Sequence, residues 1–322
     1  MPRHYLTPSL TLAALAVLVS SACKSGDSAA KDAALADSAA VYEKDSGMFR
    51  KVGATPNLQG PESARYDRDF DIWFVANVNG MPGQKDNNGY ISRLRPDGAP
   101  YTVKFIEGGK KGVTLNAPKG LAISGDTLWV ADIDVARAFN KRTGALIANV
   151  DTKGKARFLN GASVGPDGAV YMTDTGVLFG PKGDVAHPGP DQVFRVTKGG
   201  ATVALTSAKL EGPNGITWDA KQRRFVIVSF LGKGIYSWKP GDKDVESLGS
   251  GPGQQDGVVF LPDGRLLVTS WTDSSLFVLE NGTARKVASK VPSPADIDVD
   301  PKDSRVAVPL LMENRVEYWE VQ

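Results

Sequence analysis

Leu159-Asn160-Gly161-Ala162-Ser163-Val164-Gly165-Pro166-Asp167-Gly168 and Gln255-Asp256-Gly257-Val258-Val259-Phe260-Leu261-Pro262-Asp263-Gly264 follow one plan. A short polar residue and a glycine open an apolar run, and the proline of a Pro-Asp-Gly turn stands six positions after the polar residue. The same kind of opening recurs at Glu62 (Pro-Glu-Ser), Lys119 (Pro-Lys-Gly), Asn214 (Pro-Asn-Gly) and Ala295 (Pro-Ala-Asp). Successive openings are about 40 or about 55 residues apart, the period of propeller blades. The 35 Gly and 20 Pro fall largely at the ends of apolar runs, which fits an all-β chain with many turns. The expected fold is therefore a six-bladed β-propeller over residues 47–322.

Each unit reads as an inner strand, a turn, a second strand, a loop and two outer strands. The sixth unit, opening at Ala295, runs out of chain after three strands. Residues 48–54 are expected to supply its missing outer strand, closing the ring and removing its open edges. Inner strands start at the axis and second strands return to it, so the loops after second strands share the ring's face. Two of these, 78–88 and 175–190, are long enough to wall a pocket there.

The N-terminus follows a different logic. Arg3 and His4 precede a mostly apolar run, 10–19, and then Ser20-Ser21-Ala22-Cys23. The run is too short to span a bilayer but matches the core of a signal peptide, so residues 1–22 are expected to be removed. Cys23 is the only cysteine, and 24–46 is a polar tether. Together these predict a lipidated Cys23 and a membrane-anchored protein of the periplasm or cell surface; the alternative is plain secretion. A lone cysteine also excludes an internal disulfide. The formal net charge of +2 and the absence of a basic stripe speak against nucleic acid as a partner.

If the blades form a ring, Glu62, Asn160, Asn214 and Asp256 converge on its axis. Two carboxylates and two carboxamides are hard oxygen donors, suited to calcium or another divalent metal rather than zinc. Asn-Gly and Asp-Gly are also common turn dipeptides, so any one of these residues alone would be ordinary turn chemistry. Four at one offset, with Glu62 outside the turn pattern, point to a metal. Asp86-Asn87-Asn88-Gly89 lacks the later Glu of an EF-hand and reads as a solvated turn. Trp73, Trp129, Trp218 and Trp238 lie on strand patterns and are expected in the core. His187, in the 175–190 loop, is the only imidazole once His4 is removed, which rules against a His/Cys zinc cluster. It is a candidate for proton transfer, or else a merely exposed loop residue.

These residues resemble the senescence marker protein, gluconolactonase and luciferin-regenerating-enzyme propellers and, more distantly, the paraoxonases and diisopropyl-fluorophosphatase. The resemblance spans roughly residues 48–322. It implies that Glu62, Asn214 and Asp256 ligate calcium, that Asn160 completes the shell or holds substrate, and that Arg157 is the candidate substrate-binding arginine. Ser63, Ala64, Tyr66 and Gly161 depart from the family's pattern. The activity implied is that of a calcium-dependent lactonase or esterase-type hydrolase acting on a small lactone or ester. Asp256 would serve as general base, with His187 assisting. Membrane contact would run through the lipid anchor only, and the chain would act as a monomer. The alternative, prompted by Leu128-Trp129-Val130-Ala131-Asp132, is a non-catalytic, NHL-like binding propeller with a structural metal.

Overall fold

Strands buried on both faces read as unbroken apolar runs rather than alternating ones, and the second strand of each unit does so. Ile72–Asn77, Thr127–Asp132 and Leu266–Ser270 are buried along their whole length. Outer strands such as Pro100–Glu107 and Leu146–Asp151 are mostly exposed. This inside-to-outside gradient is what radially stacked sheets produce. The computed structural model describes residues 48–180 and 183–321; the signal segment, Cys23 and the tether lie outside them.

Four sheets have four strands each, and an eight-stranded sheet consists of two such units joined by one parallel pair, Ser250 with Thr283. The inner strands are Pro61–Asp67, Pro118–Ser124, Leu159–Val164, Pro213–Asp219, Gln255–Phe260 and the short Asp298–Asp300. Each touches the next in chain order, and the last touches the first, so the β-propeller closes on itself. Apolar clusters fill the gaps between neighbouring units all the way round. Phe74, Ile91, Val130 and Phe139 meet between the first two units. Trp73, Tyr66, Ala307 and Tyr318 meet between the last and the first. Trp129 and Trp238 are buried core residues, and Trp218 is partly buried against its cluster.

The chain ends meet in one sheet. Phe49–Thr55 pairs antiparallel with Arg315–Val321, from Phe49 opposite Val321 to Thr55 opposite Val316. The first strand thus completes the last unit, and the Thr55 hydroxyl lies 3.1 Å from the Tyr318 hydroxyl.

Close packing at the axis explains the glycines. A Cβ on Gly120, Gly161 or Gly215 would lie 2.2, 2.4 or 2.4 Å from the backbone oxygen of Asn160, Asn214 or Asp256, respectively. A Cβ on Gly257 would lie 2.6 Å from the Ala295 oxygen. The Lys-Gly, Asn-Gly and Asp-Gly pairs are therefore not turns. They lie inside strands, and glycine is required because the next inner strand presses against it. At the seam between last and first units the device changes. Asp296 N donates to Glu62 O at 2.9 Å, Ala64 N donates to Asp296 O at 3.2 Å, and Ser63 Oγ donates to Asp296 Oδ2 at 2.7 Å.

Carboxylates at the ends of second strands fix the segments that lead into the axis. Asp132 accepts from the backbone N–H groups of Asn116 and Ala117 and from Arg137 Nε. Asp174 accepts from the N–H groups of Arg157, Phe158 and Gly176. The Asp of Leu-Trp-Val-Ala-Asp is thus a blade-closing residue. Asp86-Asn87-Asn88-Gly89 is likewise more than a solvated turn: Asn87 Oδ1 accepts from Gly109 N and Leu115 N, tying loop 78–89 to the start of the second unit.

Replacing Gly215 by alanine should cost about 1–3 kcal/mol, because the Asp256 carbonyl cannot retreat without moving the neighbouring inner strand. Gly199, whose added Cβ would meet nothing closer than 3.7 Å, should accept alanine almost without effect. Urea unfolding of the two variants beside the parent measures the difference.

Candidate functional site

Glu62, Lys119, Asn160, Asn214 and Asp256 are each the second residue of an inner strand. Close contact between those strands gathers the side chains at one end of the axis, where all five are 5% exposed or less. Glu62 feels the charges of both Asp256 and Lys119, and Asn214 lies near enough to Asp256 to favour its charged form. Asn160 turns toward the adjoining loop, its Nδ2 donating to Thr175 Oγ1 at 3.1 Å. Thr175 Oγ1 in turn donates to Pro213 O at 2.9 Å.

Ionising this ring is costly. Burial pushes the Glu62 carboxyl well above the usual range, Asp256 and Asp296 push it further, and Lys119 opposes them. Burial likewise raises Asp256, reinforced by Asp296 and opposed by Asn214 and by the Trp271 indole N–H. Trp271 Nε1 is itself buried without reaching full hydrogen-bond geometry. Burial raises Asp296 to about 6 against the pull of Arg65 and Ser63. Burial lowers the Lys119 ammonium, while Glu62, Asp132, Asp134 and Asp174 favour its charge.

Glu62 Oε2, Asn214 Oδ1 and Asp256 Oδ1 are buried and accept no hydrogen bond. Buried polar atoms are nearly always partnered, so three orphaned oxygens from three inner strands ask for a ligand. Their chemistry, two carboxylates and a carboxamide, fits a hard divalent cation such as calcium. Among the described residues no group of three or more His, Cys, Asp or Glu side chains is placed to hold a metal. A cation here must therefore draw on the carboxamides as well as the carboxylates.

The two remaining sequence candidates are placed outside the ring. Arg157 Nε donates to Gly189 O, which ties the long loop to the segment leading into the third inner strand. His187 Nε2 lies 2.7 Å from Asp191 Oδ1, and Asp191 Oδ2 accepts from Gly212 N. Both side chains fix loop 175–191, which carries a small hairpin of Leu178–Phe179 with Val185–Ala186. Phe179 packs on Gly83 of loop 78–89 and on Phe158, whose ring lies 5.1 Å away. Phe158 also faces Lys119 Nζ at 4.1 Å. Opposite, Phe230 and Trp271 meet edge to face at 5.7 Å. Met81, Leu178, Leu231 and Met312 are exposed on loops that follow second strands, on the ring's side of the molecule. Two surface cavities, of about 480 and 460 Å³, lie at the far ends of inner strands and contain none of the ring residues.

Lys119 and Trp271 were given no role by sequence reasoning. Lys119 had a signal, since it occupies the ring offset; Trp271 had none, because its approach to Asp256 depends on how the fifth unit's loop folds.

No protein-family model matches the chain, and no curated protein sequence does either. Solved structures do resemble it in fold. Virginiamycin B lyase from Staphylococcus aureus has 14% identity and a TM-score of 0.57, with 85% of this chain and 100% of that one covered. A protein of unknown function from Bacteroides thetaiotaomicron has 12% identity and a TM-score of 0.61, covering 87% and 73%. The WD40 β-propeller domain of Doa1 has 13% identity and a TM-score of 0.56, covering 81% and 78%. At these identities the likeness concerns the fold, and it places this chain among the β-propellers.

Raised carboxyls have a stability consequence of definite sign. Between the ordinary aspartate value of 3.8 and about 6, folded Asp296 holds a proton that the unfolded chain has released. Glu62 and Asp256 are shifted in the same direction. In the presence of chelator, stability should therefore fall as pH rises through this window. Asp256→Asn, which cannot ionise, should flatten the slope, and calcium should reduce it in the parent. Urea unfolding at pH 4.5 and 7.0, with EDTA or with calcium, measures both effects.

Proposed function

We propose that the protein is a metal-dependent hydrolase of lactones or related esters, similar in its ring residues to the gluconolactonase and senescence-marker propellers. The supporting observation is the set of orphaned oxygens, Glu62 Oε2, Asn214 Oδ1 and Asp256 Oδ1, on adjacent or nearby inner strands. Glu62, Asn160, Asn214 and Asp256 would hold the ion, calcium being the one their oxygens suit. When bound, a divalent cation supplies polarisation of a substrate carbonyl and stabilisation of the negative charge that develops on it.

The chain's own groups do the rest. Asp256 accepts the proton of the attacking water, as the ring carboxylate beside the place where that water would be held. Trp271 and Asn214 lie close to that carboxylate and favour its charged form. Asn160, braced by Thr175, positions the substrate beside the ring. Loops 78–89 and 175–191 exclude water around it, and Arg157 and His187 keep the second loop in place.

A second reading, an NHL-like binding propeller with a structural ion, is favoured by one feature. Met81, Leu178, Leu231 and Met312 give the ring face an apolar rim that would suit a macromolecular partner. A panel of lactones, aryl esters and phosphotriesters, assayed with and without calcium, separates the two. Calcium-dependent turnover is expected; its absence across the panel favours the binding reading. Asp256→Asn should abolish turnover at saturating calcium, since the amide keeps an oxygen but accepts no proton at neutral pH. His187→Ala should cost at most about a hundredfold, through loop placement.

The protein is further proposed to be an extracytoplasmic lipoprotein attached through Cys23, with plain secretion as the alternative. Cys23→Ala should move it from the membrane to the soluble extracytoplasmic fraction, as fractionation and immunoblotting would read. Equal solubility of parent and variant would support secretion.

A further inference from the structure

Every inner-strand opening from the first to the fifth carries a polar side chain into the ring, and four of the five offer an oxygen. The second offers an ammonium. Lys119 is 1% exposed, and its register beside Glu62 is fixed, because Arg65 Nε of the first inner strand donates to Leu121 O of the second at 2.8 Å. An unpaired buried ammonium is costly, so its surroundings should supply negative potential. They do: Glu62 is the largest opposing charge, followed by Asp132, Asp134 and Asp174.

The ammonium nevertheless does not close onto the ring. Among the described residues its one hydrogen bond is from Nζ to Ala117 O at 3.0 Å, and its other support is the Phe158 face at 4.1 Å. Glu62 Oε2 stays without a partner. The positive charge is thus close enough to act on Glu62 electrostatically yet held off its free oxygen. That oxygen is left available to a second cation, which would have to bind against a fixed positive charge. In a buried site that repulsion is weakly screened.

We propose that Lys119 is the ring's resident counter-cation: it compensates Glu62 when no divalent ion is bound, and it sets the ring's affinity for such an ion low. The inference rests on the reading of the ring as a divalent-cation site, but it concerns a residue to which that reading assigns no part. It predicts that the lysine and the ion act as alternatives. Removing the ammonium should make the ring a stronger site and, without the ion, a less stable one.

The test is calcium titration calorimetry on the chelator-stripped full chain, comparing the parent with Lys119→Met and Lys119→Gln. Lys119→Met keeps an unbranched side chain of similar length without the charge, and Lys119→Gln carries the same expectation if the first variant does not fold. Affinity should rise at least about tenfold in either variant. Thermal melts followed by circular dichroism give the second readout. The variant should melt below the parent in EDTA and recover fully, or exceed it, in calcium. Equal or weaker calcium affinity in the variants, with binding retained by the parent, overturns the proposal and leaves the metal reading standing. A loss of melting temperature that calcium does not restore also overturns it, since that marks a purely structural lysine. Binding by a variant but not by the parent supports the proposal and removes the native divalent ion from the functional reading. Binding by none of the three overturns both.

Discussion

The whole site depends on how closely the inner strands approach one another. At three consecutive interfaces the backbone oxygen of the next inner strand, and at a fourth the Ala295 oxygen just ahead of the last one, crowds the place where the previous strand's Cβ would be, so the earlier residue must be glycine. At the seam, hydrogen bonds among Ser63, Ala64, Glu62 and Asp296 take over that task. Because the strands converge this tightly at one end, their second residues have little choice but to meet. Five polar side chains share a small, buried volume, and their electrostatics follow from that crowding.

Burial alone does not separate the structural acids from the functional candidates. Asp132 and Glu62 are both deeply buried. Asp132 is surrounded by N–H donors and an arginine, as befits a group that fixes a loop. Glu62 and Asp256 each retain an oxygen with nothing to accept from, and each has its ionised form disfavoured. The difference lies in the supply of partners. One kind of carboxylate holds the blade together, whereas the other keeps unmet capacity where a ligand can use it.

The face above the ring is organised by the same economy of parts. Long loops after the first and third units' second strands lean on each other through Phe179 and Gly83. Arg157 and His187, the polar groups that sequence alone would offer to a substrate, each make a hydrogen bond that holds one of these loops. What remains at the mouth is largely aromatic and aliphatic, with the buried Lys119 ammonium beneath Phe158.

By itself the sequence determined the repeat, the all-β class, the closing role of the first strand, and which four oxygen-bearing residues share an offset. These are legible because period, turn chemistry and strand patterning are local, and a ring converts equal offset into proximity. Only the tertiary structure decided why the glycines are there, since a close approach by the next strand leaves the same dipeptide as a turn. It also decided the fates of Arg157 and His187, which depend on where loop 175–191 lies. Trp271 beside Asp256 and Lys119 beside Glu62 belong to this second group as well. Contacts between blades are long-range, and no spacing within the chain encodes which side chains will face each other across the axis.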